Sequence, residues 1–198
     1  MRVCYANSMT RAERIAEYKE TPVRFTAEEF MELAQQPPIC DWIGKVELVE
    51  GEIVRMSPAG GPHWNMQRLA TMHLQAAFAP LGSEWVVGAE APVKLGKLTV
   101  RVPDVAVLRG PDLTAVTFDK SALFMAVEIA DTSLRNDLGR KLRAYASAGV
   151  PHYWVVDVNG RKVHVMADPH EGDYHAKRLL PFGEPIDVPG AGSTVTVG

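Results

Sequence analysis

Residues 122–158, ALFMAVEIADTSLRNDLGRKLRAYASAGVPHYWVVDV, decide the fold. Ala122 to Ala130 is an apolar run of strand length, interrupted only by Glu128. Beyond it, Leu138, Leu142, Tyr145 and Ala146 recur at helical spacing. Gly149 then stands where a helix C-terminal cap is wanted, and Pro151 prevents continuation. Tyr153 to Val158 is again short and apolar, as a buried strand should be. Strand, helix, strand predicts a crossover unit, because parallel neighbours need a long connection. The fold class that follows is α/β.

Upstream, Trp85 to Val87, Ala91 to Leu95 and Val102 to Leu108 read as strands between turn residues such as Gly96 and Gly110-Pro111. From His63 to Phe78, the residues Met66, Leu69, Ala70, Leu74 and Ala77 form a helical stripe closed by Pro80 and Gly82. Val46 to Val49 and Ile53 to Met56 flank Glu50-Gly51, a hairpin signal. Thr26 with Glu29 makes a capping box for a short helix that stops before Pro37-Pro38. Downstream, Val163 to Met166 and Tyr174 to Leu180 follow Asn159-Gly160 and Glu171-Gly172 and extend the sheet as antiparallel strands. Residues 1–23 are expected to be a loosely ordered arm, with Met9 a second candidate start, and residues 24–198 a single domain.

The chain has 198 residues, 46% hydrophobic and 23% charged, and a formal net charge of -3. That charge argues against a protein coating nucleic acid through bulk positive potential, while leaving room for a local basic cleft. Cys4 and Cys40 are too few for a disulfide framework or a four-ligand zinc site, and read as reduced thiols. No apolar run approaches the roughly 20 residues that span a bilayer, and no signal peptide opens the chain. A cytoplasmic protein without membrane contact is expected.

Side chains alternate along a strand, so Glu128 shares its face with Phe124, Ala126 and Ala130, and Asp104 shares its face with Val102, Ala106 and Leu108. A carboxylate among apolar neighbours needs a partner. A hard divalent cation, magnesium or manganese, is one that both acids could share. The blander explanation is an arginine partner or a turn cap for each. A lysine two residues after the glutamate would complete a nuclease-like set, but Ala130 stands there. Lys141 borders the helical stripe instead. Its ammonium could orient or help deprotonate the attacking water and offset transition-state charge; alternatively it snorkels or pairs with Asp137.

One further pattern is more specific. Val46-Glu47-Leu48-Val49-Glu50-Gly51-Glu52-Ile53, Ser57-Pro58 and His63, Val102-Pro103-Asp104-Val105-Ala106-Val107, Val127-Glu128-Ile129, Asp137 to Lys141, Tyr145-Ala146, and Gly149 through Asp157 together resemble the bacterial Uma-two family. That family belongs to the PD-(D/E)XK restriction-endonuclease-like superfamily, and the likeness runs from about residue 24 to 190. The resemblance implies a mixed sheet of about four central strands flanked by helices, with additional antiparallel strands. It further implies a magnesium-dependent nuclease site in which Asp104 and Glu128 bind metal and the lysine has moved onto the following helix, at Lys141. Glu47 matches an early family glutamate and His63 a histidine at the start of the long helix. Where the family tends to carry Ser-Pro-Ser, this chain has Asp131-Thr132-Ser133, making Asp131 an outer-shell ligand or a helix-start residue.

The catalytic set expected is therefore Asp104, Glu128 and Lys141, supported by Glu47, His63, Asp131 and Asp137. Arg135, Arg140 and Arg143 are candidate phosphate contacts, or a solvated helix face. His73 is expected to be partly buried. Tyr153 and Trp154 are expected in the core rather than stacked on bases. The partner is nucleic acid, DNA in the first instance, and homodimerisation is expected by analogy with the superfamily. Two other classes compete: a non-catalytic nucleic-acid-binding or protein-interaction module on the same fold, and a sugar hydrolase with two carboxylates, which leaves Lys141 without a task. The nuclease reading requires Asp104, Glu128 and Lys141 to converge on one solvent-accessible spot.

Overall fold

A computed structural model describes residues 22–36, 46–56 and 58–198. The expected arm up to residue 21, Cys4, Cys40, Pro37-Pro38 and Ser57 lie outside the described residues.

The crossover is present. Strand β8 (Leu123–Ala130) runs parallel to β9 (His152–Asp157), with Glu128 level with Val155. Between them lie α3 (Leu134–Asn136), a π-helical turn (Asp137–Lys141) and α4 (Leu142–Ser147). β8 and β9 are the centre of a six-stranded mixed sheet. On one side β6 (Val105–Arg109) and β3 (Trp85–Ala89) pair antiparallel; on the other, β10 (Lys162–His170) and β11 (Asp173–Pro181) do the same.

Period-two alternation sorts this sheet into two cores. Met125, Val127, Ile129, Trp154 and Val156 pack against the long helix α2 (Gly61–Phe78) and the hairpin β12 (Pro185–Val188) with β13 (Ser193–Thr196). Ala126, Ala130, Tyr153 and Val155 face Leu142, Tyr145 and Ala146 of the crossover helix. Glu128 lies on this second face. Tyr153 and Trp154 are core residues, one on each face.

The second sheet is larger than the sequence suggests. Its order is β2-β1-β5-β4-β7, built from β1 (Val46–Val49), β2 (Glu52–Arg55), β4 (Val93–Gly96), β5 (Thr99–Arg101) and β7 (Phe118–Asp119). The predicted hairpin is real: Val49 pairs with Glu52, and Gly51 turns at φ 85° with Arg24 packed so close that an added Cβ would meet the Arg24 side chain at 2.6 Å. The helix over this sheet, α1 (Ala27–Ala34), carries the full Thr26–Glu29 capping box.

Three local expectations need correction. Asp104 is not within a strand; it occupies a bend just before β6, since Pro103 has no N–H to give a ladder. The segment from Ala91 to Leu95 starts its strand only at Val93 and joins the small sheet, not the central one. His73 is exposed, because Met66, Gln67, Ala70, Leu74, Ala77 and Phe78 set the buried arc of α2 and leave it outside.

Candidate active site

Among the described residues eight polar or charged side chains are buried: Glu47, Gln67, Arg101, Asp104, Glu128, Asp137, Lys141 and Asp157. Only Asp157 has a purely local task, accepting from Gly160 N–H in the turn after β9. The other seven are grouped around one cavity of about 330 Å³. Burial of so many charges on one spot is expensive unless they satisfy one another.

Asp104 reaches the cavity from the bend before β6. Val105 pairs with Val127, so one more residue along brings Asp104 level with Glu128, and Ile129 N–H donates to Asp104 Oδ2 at 2.7 Å. His63, on the first turn of α2, meets the same oxygen through Nε2 at 3.1 Å. Four residues on, Gln67 Nε2 donates to the Asp104 backbone carbonyl at 2.9 Å. The i, i+4 spacing puts both side chains on one helix face, so α2 holds the bend at two points. The Asp104 bond raises the His63 pKa above an ordinary imidazole, against the effect of burial.

Glu128, 1% exposed, is gripped by two donors: Lys141 Nζ at 2.7 Å on Oε2 and Tyr145 hydroxyl at 2.9 Å on Oε1. Burial pushes the Glu128 carboxyl up, while the lysine charge pulls it back. Burial likewise works against the Lys141 ammonium, but the carboxylates of Glu128, Glu47 and Asp137 more than offset this and raise its pKa above the ordinary lysine value. Burial, then Glu128, raises the Tyr145 phenol well above its usual range, so it remains a donor. With both carboxylate oxygens accepting, the contacts suit ionised Glu128 beside protonated Lys141. Held this way, Lys141 presents a fixed positive charge beside Glu128.

The π turn places that lysine. Helical periodicity put Lys141 beside the buried stripe, yet it is only 7% exposed. Leu142 N–H returns to the Asp137 carbonyl, five residues back, and the Tyr153 hydroxyl also donates to that carbonyl at 2.9 Å. The wider turn rotates the chain by about a residue and directs Lys141 at Glu128; such turns are rare and frequent at functional sites. Asp137 is buried beneath it, with Oδ2 accepting from Ser133 and Oδ1 at 3.8 Å from Lys141 Nζ. Burial raises its pKa first of all, with Lys141 opposing.

Glu47 also lines the cavity, but its carboxylate is occupied. Arg101 donates to Oε2 at 2.8 Å and Val102 N–H to Oε1 at 2.9 Å. It therefore clamps the segment leading into Asp104. Asp131 lines the cavity too, receiving Asn159 Nδ2 on its carbonyl and on Oδ1; it is not a helix cap, since Ser133 precedes α3. Of the candidate phosphate contacts, Arg140 lines this cavity, Arg143 lines a neighbouring one, and Arg135 lines neither. All three are exposed.

Arg101, Gln67 and Tyr145 were not foreseen in the site. Tyr145 reads as one more apolar-stripe residue, and Arg101 stands in a strand of three residues that no pattern reveals. Gln67 had a faint signal, a polar residue four after His63 beside an apolar stripe.

The donors that converge are hard oxygens. Among the described residues no three His, Cys, Asp or Glu side chains form a ready metal-ligand cluster. Two carboxylates with water completing the shell fit magnesium, which usually keeps several waters and takes one or two protein carboxylates.

A sequence model of the Uma2 family, described as "Putative restriction endonuclease", matches residues 27–197. Among solved structures, the chain is similar to a "putative nuclease belonging to DUF820" from Anabaena variabilis ATCC 29413, at 20% identity, a TM-score of 0.63, and coverage of 87% of this chain and 94% of that one. That likeness shows a shared fold. No curated protein matches the chain.

Proposed function

The chain belongs to the Uma2 family, and from that premise we propose that it is a metal-dependent nuclease hydrolysing phosphodiester bonds of nucleic acid at the cavity between Asp104, Glu128 and Lys141. The observation that carries this reading is convergence: all three line one cavity, and the buried charges around it serve to hold them there. No helix among the described residues is long and apolar enough to cross a membrane.

Asp104 and Glu128 would hold magnesium or manganese. When bound, the ion supplies a Lewis acid for a phosphoryl oxygen and water of lowered pKa. Lys141 contributes a fixed ammonium that offsets negative charge growing on the phosphate in the transition state. Its raised pKa keeps that charge in place at neutral pH. Tyr145 holds the second Glu128 oxygen, and His63 with Gln67 fixes Asp104, so the acids reach substrate preorganised. Arg140, exposed where it lines the cavity, is placed to meet the phosphate backbone.

One observation favours the competing reading of a binding module. Lys141 and Glu128 already form a closed ion pair, which would satisfy the fold without chemistry. Cleavage separates the two. DNA and RNA substrates, single-stranded and duplex, are incubated with magnesium, with manganese and with EDTA. The nuclease reading expects cleavage that EDTA abolishes; binding without cleavage of any substrate in either metal would favour the module.

A further inference from the structure

A second cavity, of about 510 Å³, lies against the first and shares Val49, Arg101 and Arg140 with it. Its walls are the small sheet on one side, through Val49 and Thr99, and helix α4 on the other, through Arg143 and Ser147. Arg140 and Arg143 are three residues apart and therefore neighbours on the helix surface. Both are exposed, and among the described residues neither has an ion pair or hydrogen bond. Glu50 is the one acid lining this second cavity among the described residues, whereas the first is lined by Glu47, Glu90, Asp104, Glu128 and Asp131. The acids of the first cavity are nearly balanced by Arg55, Arg101, Arg140 and Lys141, whereas the second sets Arg101, Arg140 and Arg143 against Glu50 alone, so the second is the more positive of the two.

We infer that the second cavity is a phosphate subsite that takes the nucleotide next to the one being cleaved, so that a nucleic-acid strand runs from Asp104 and Glu128 over Arg140 to Arg143. This rests on the nuclease reading of the first cavity and adds a path for the substrate. The chemistry is that of guanidinium groups, whose planar donor fork matches phosphate oxygens. The size lies within the roughly 300–1,000 Å³ typical of small-molecule sites, the scale of a nucleotide unit. A chain of net charge -3 has no bulk positive potential to draw a polyanion, so local contacts of this kind must do it. Ser147, one turn after Arg143, adds a hydroxyl to the same wall.

The test is binding without cleavage. Fluorescence anisotropy of a labelled single-stranded oligonucleotide, and of its duplex, is measured in EDTA over a potassium chloride series. Wild type is compared with Arg140→Gln/Arg143→Gln and with Arg178→Gln, a surface arginine on β11 that lines neither cavity. Each lost phosphate contact should reduce the slope of log affinity on log salt by about 0.7 for a single strand and about 0.9 for a duplex. The double variant should therefore lose about 1.4 or about 1.8, while Arg178→Gln keeps the wild-type slope. An unchanged slope in the double variant, an equal loss in Arg178→Gln, or no binding by wild type overturns the subsite. Wild type that cleaves with magnesium while the double variant keeps its slope would sink the subsite and leave the nuclease reading standing. A lost slope in a protein that never cleaves would do the reverse.

Discussion

Lys141 and Glu128 are the residues on which the account turns, and their pairing makes a stability prediction independent of activity. Both are buried, so removing one partner leaves an uncompensated charge, at a cost of about 3–5 kcal/mol, whereas replacing both by neutral groups is often close to neutral. Lys141→Met alone should lower the urea midpoint severely, and Glu128→Gln/Lys141→Met should recover most of that loss. Additive losses in the double variant would mean that the two groups are not a coupled pair. Tyr145→Phe removes one of two donors to Glu128 and should cost about 1.5–3 kcal/mol, the range for a bond to a charged group. The acids were legible in the sequence because a carboxylate inside an apolar run stands out. Their keepers were not: Gln67, Arg101 and Tyr145 look like ordinary residues until non-local packing brings them to the carboxylates.

At the scale of elements, the crossover was readable because β8, the helix and β9 each carry their own hydrophobic period. The π turn was not, since it differs from an α-helix by one residue over a single turn. Gly139 sits inside it with nothing within 4 Å of a would-be Cβ and no positive φ. Gly139→Ala should therefore be tolerated and raise stability by about 0.5–1 kcal/mol, as in an ordinary helix interior. Loss of stability in thermal denaturation would mean that the turn needs glycine freedom. Helix α2 acts as a second positioning element. Gln67→Met takes a donor from the buried Asp104 carbonyl and should cost about 1–3 kcal/mol, with the larger effect on activity because the bend carries the carboxylate.

At the scale of the whole molecule, the central sheet followed from pattern, whereas of the small sheet only the β1–β2 hairpin did: its strands have two to four residues each, and the pairings of β1 with β5 and of β4 with β7 join segments distant in sequence. That sheet supplies Glu47, which the sequence offered as a supporting acid, and Arg101, its partner, which the sequence did not reveal. Stability should also depend on pH in a stated direction. Burial lowers the pKa of His152 and His164 below the ordinary imidazole value of 6.5. The unfolded chain therefore takes up these protons first, and stability present above about pH 6.5 declines as the pH falls through the lowered folded values. The His152→Gln/His164→Gln variant should flatten that decline in urea titrations at stepped pH; an unchanged slope would assign acid sensitivity to other groups. The central claim, that Asp104 and its neighbours hydrolyse phosphodiesters, is tested most directly by single-turnover cleavage of a labelled nucleic acid with magnesium, wild type against Asp104→Asn. Asparagine keeps an oxygen for the Ile129 N–H while removing the charge. The account predicts metal-dependent cleavage by wild type and a loss of at least about 100-fold in the variant, the scale of removing one electrostatic contributor; equal rates in the two proteins would contradict it.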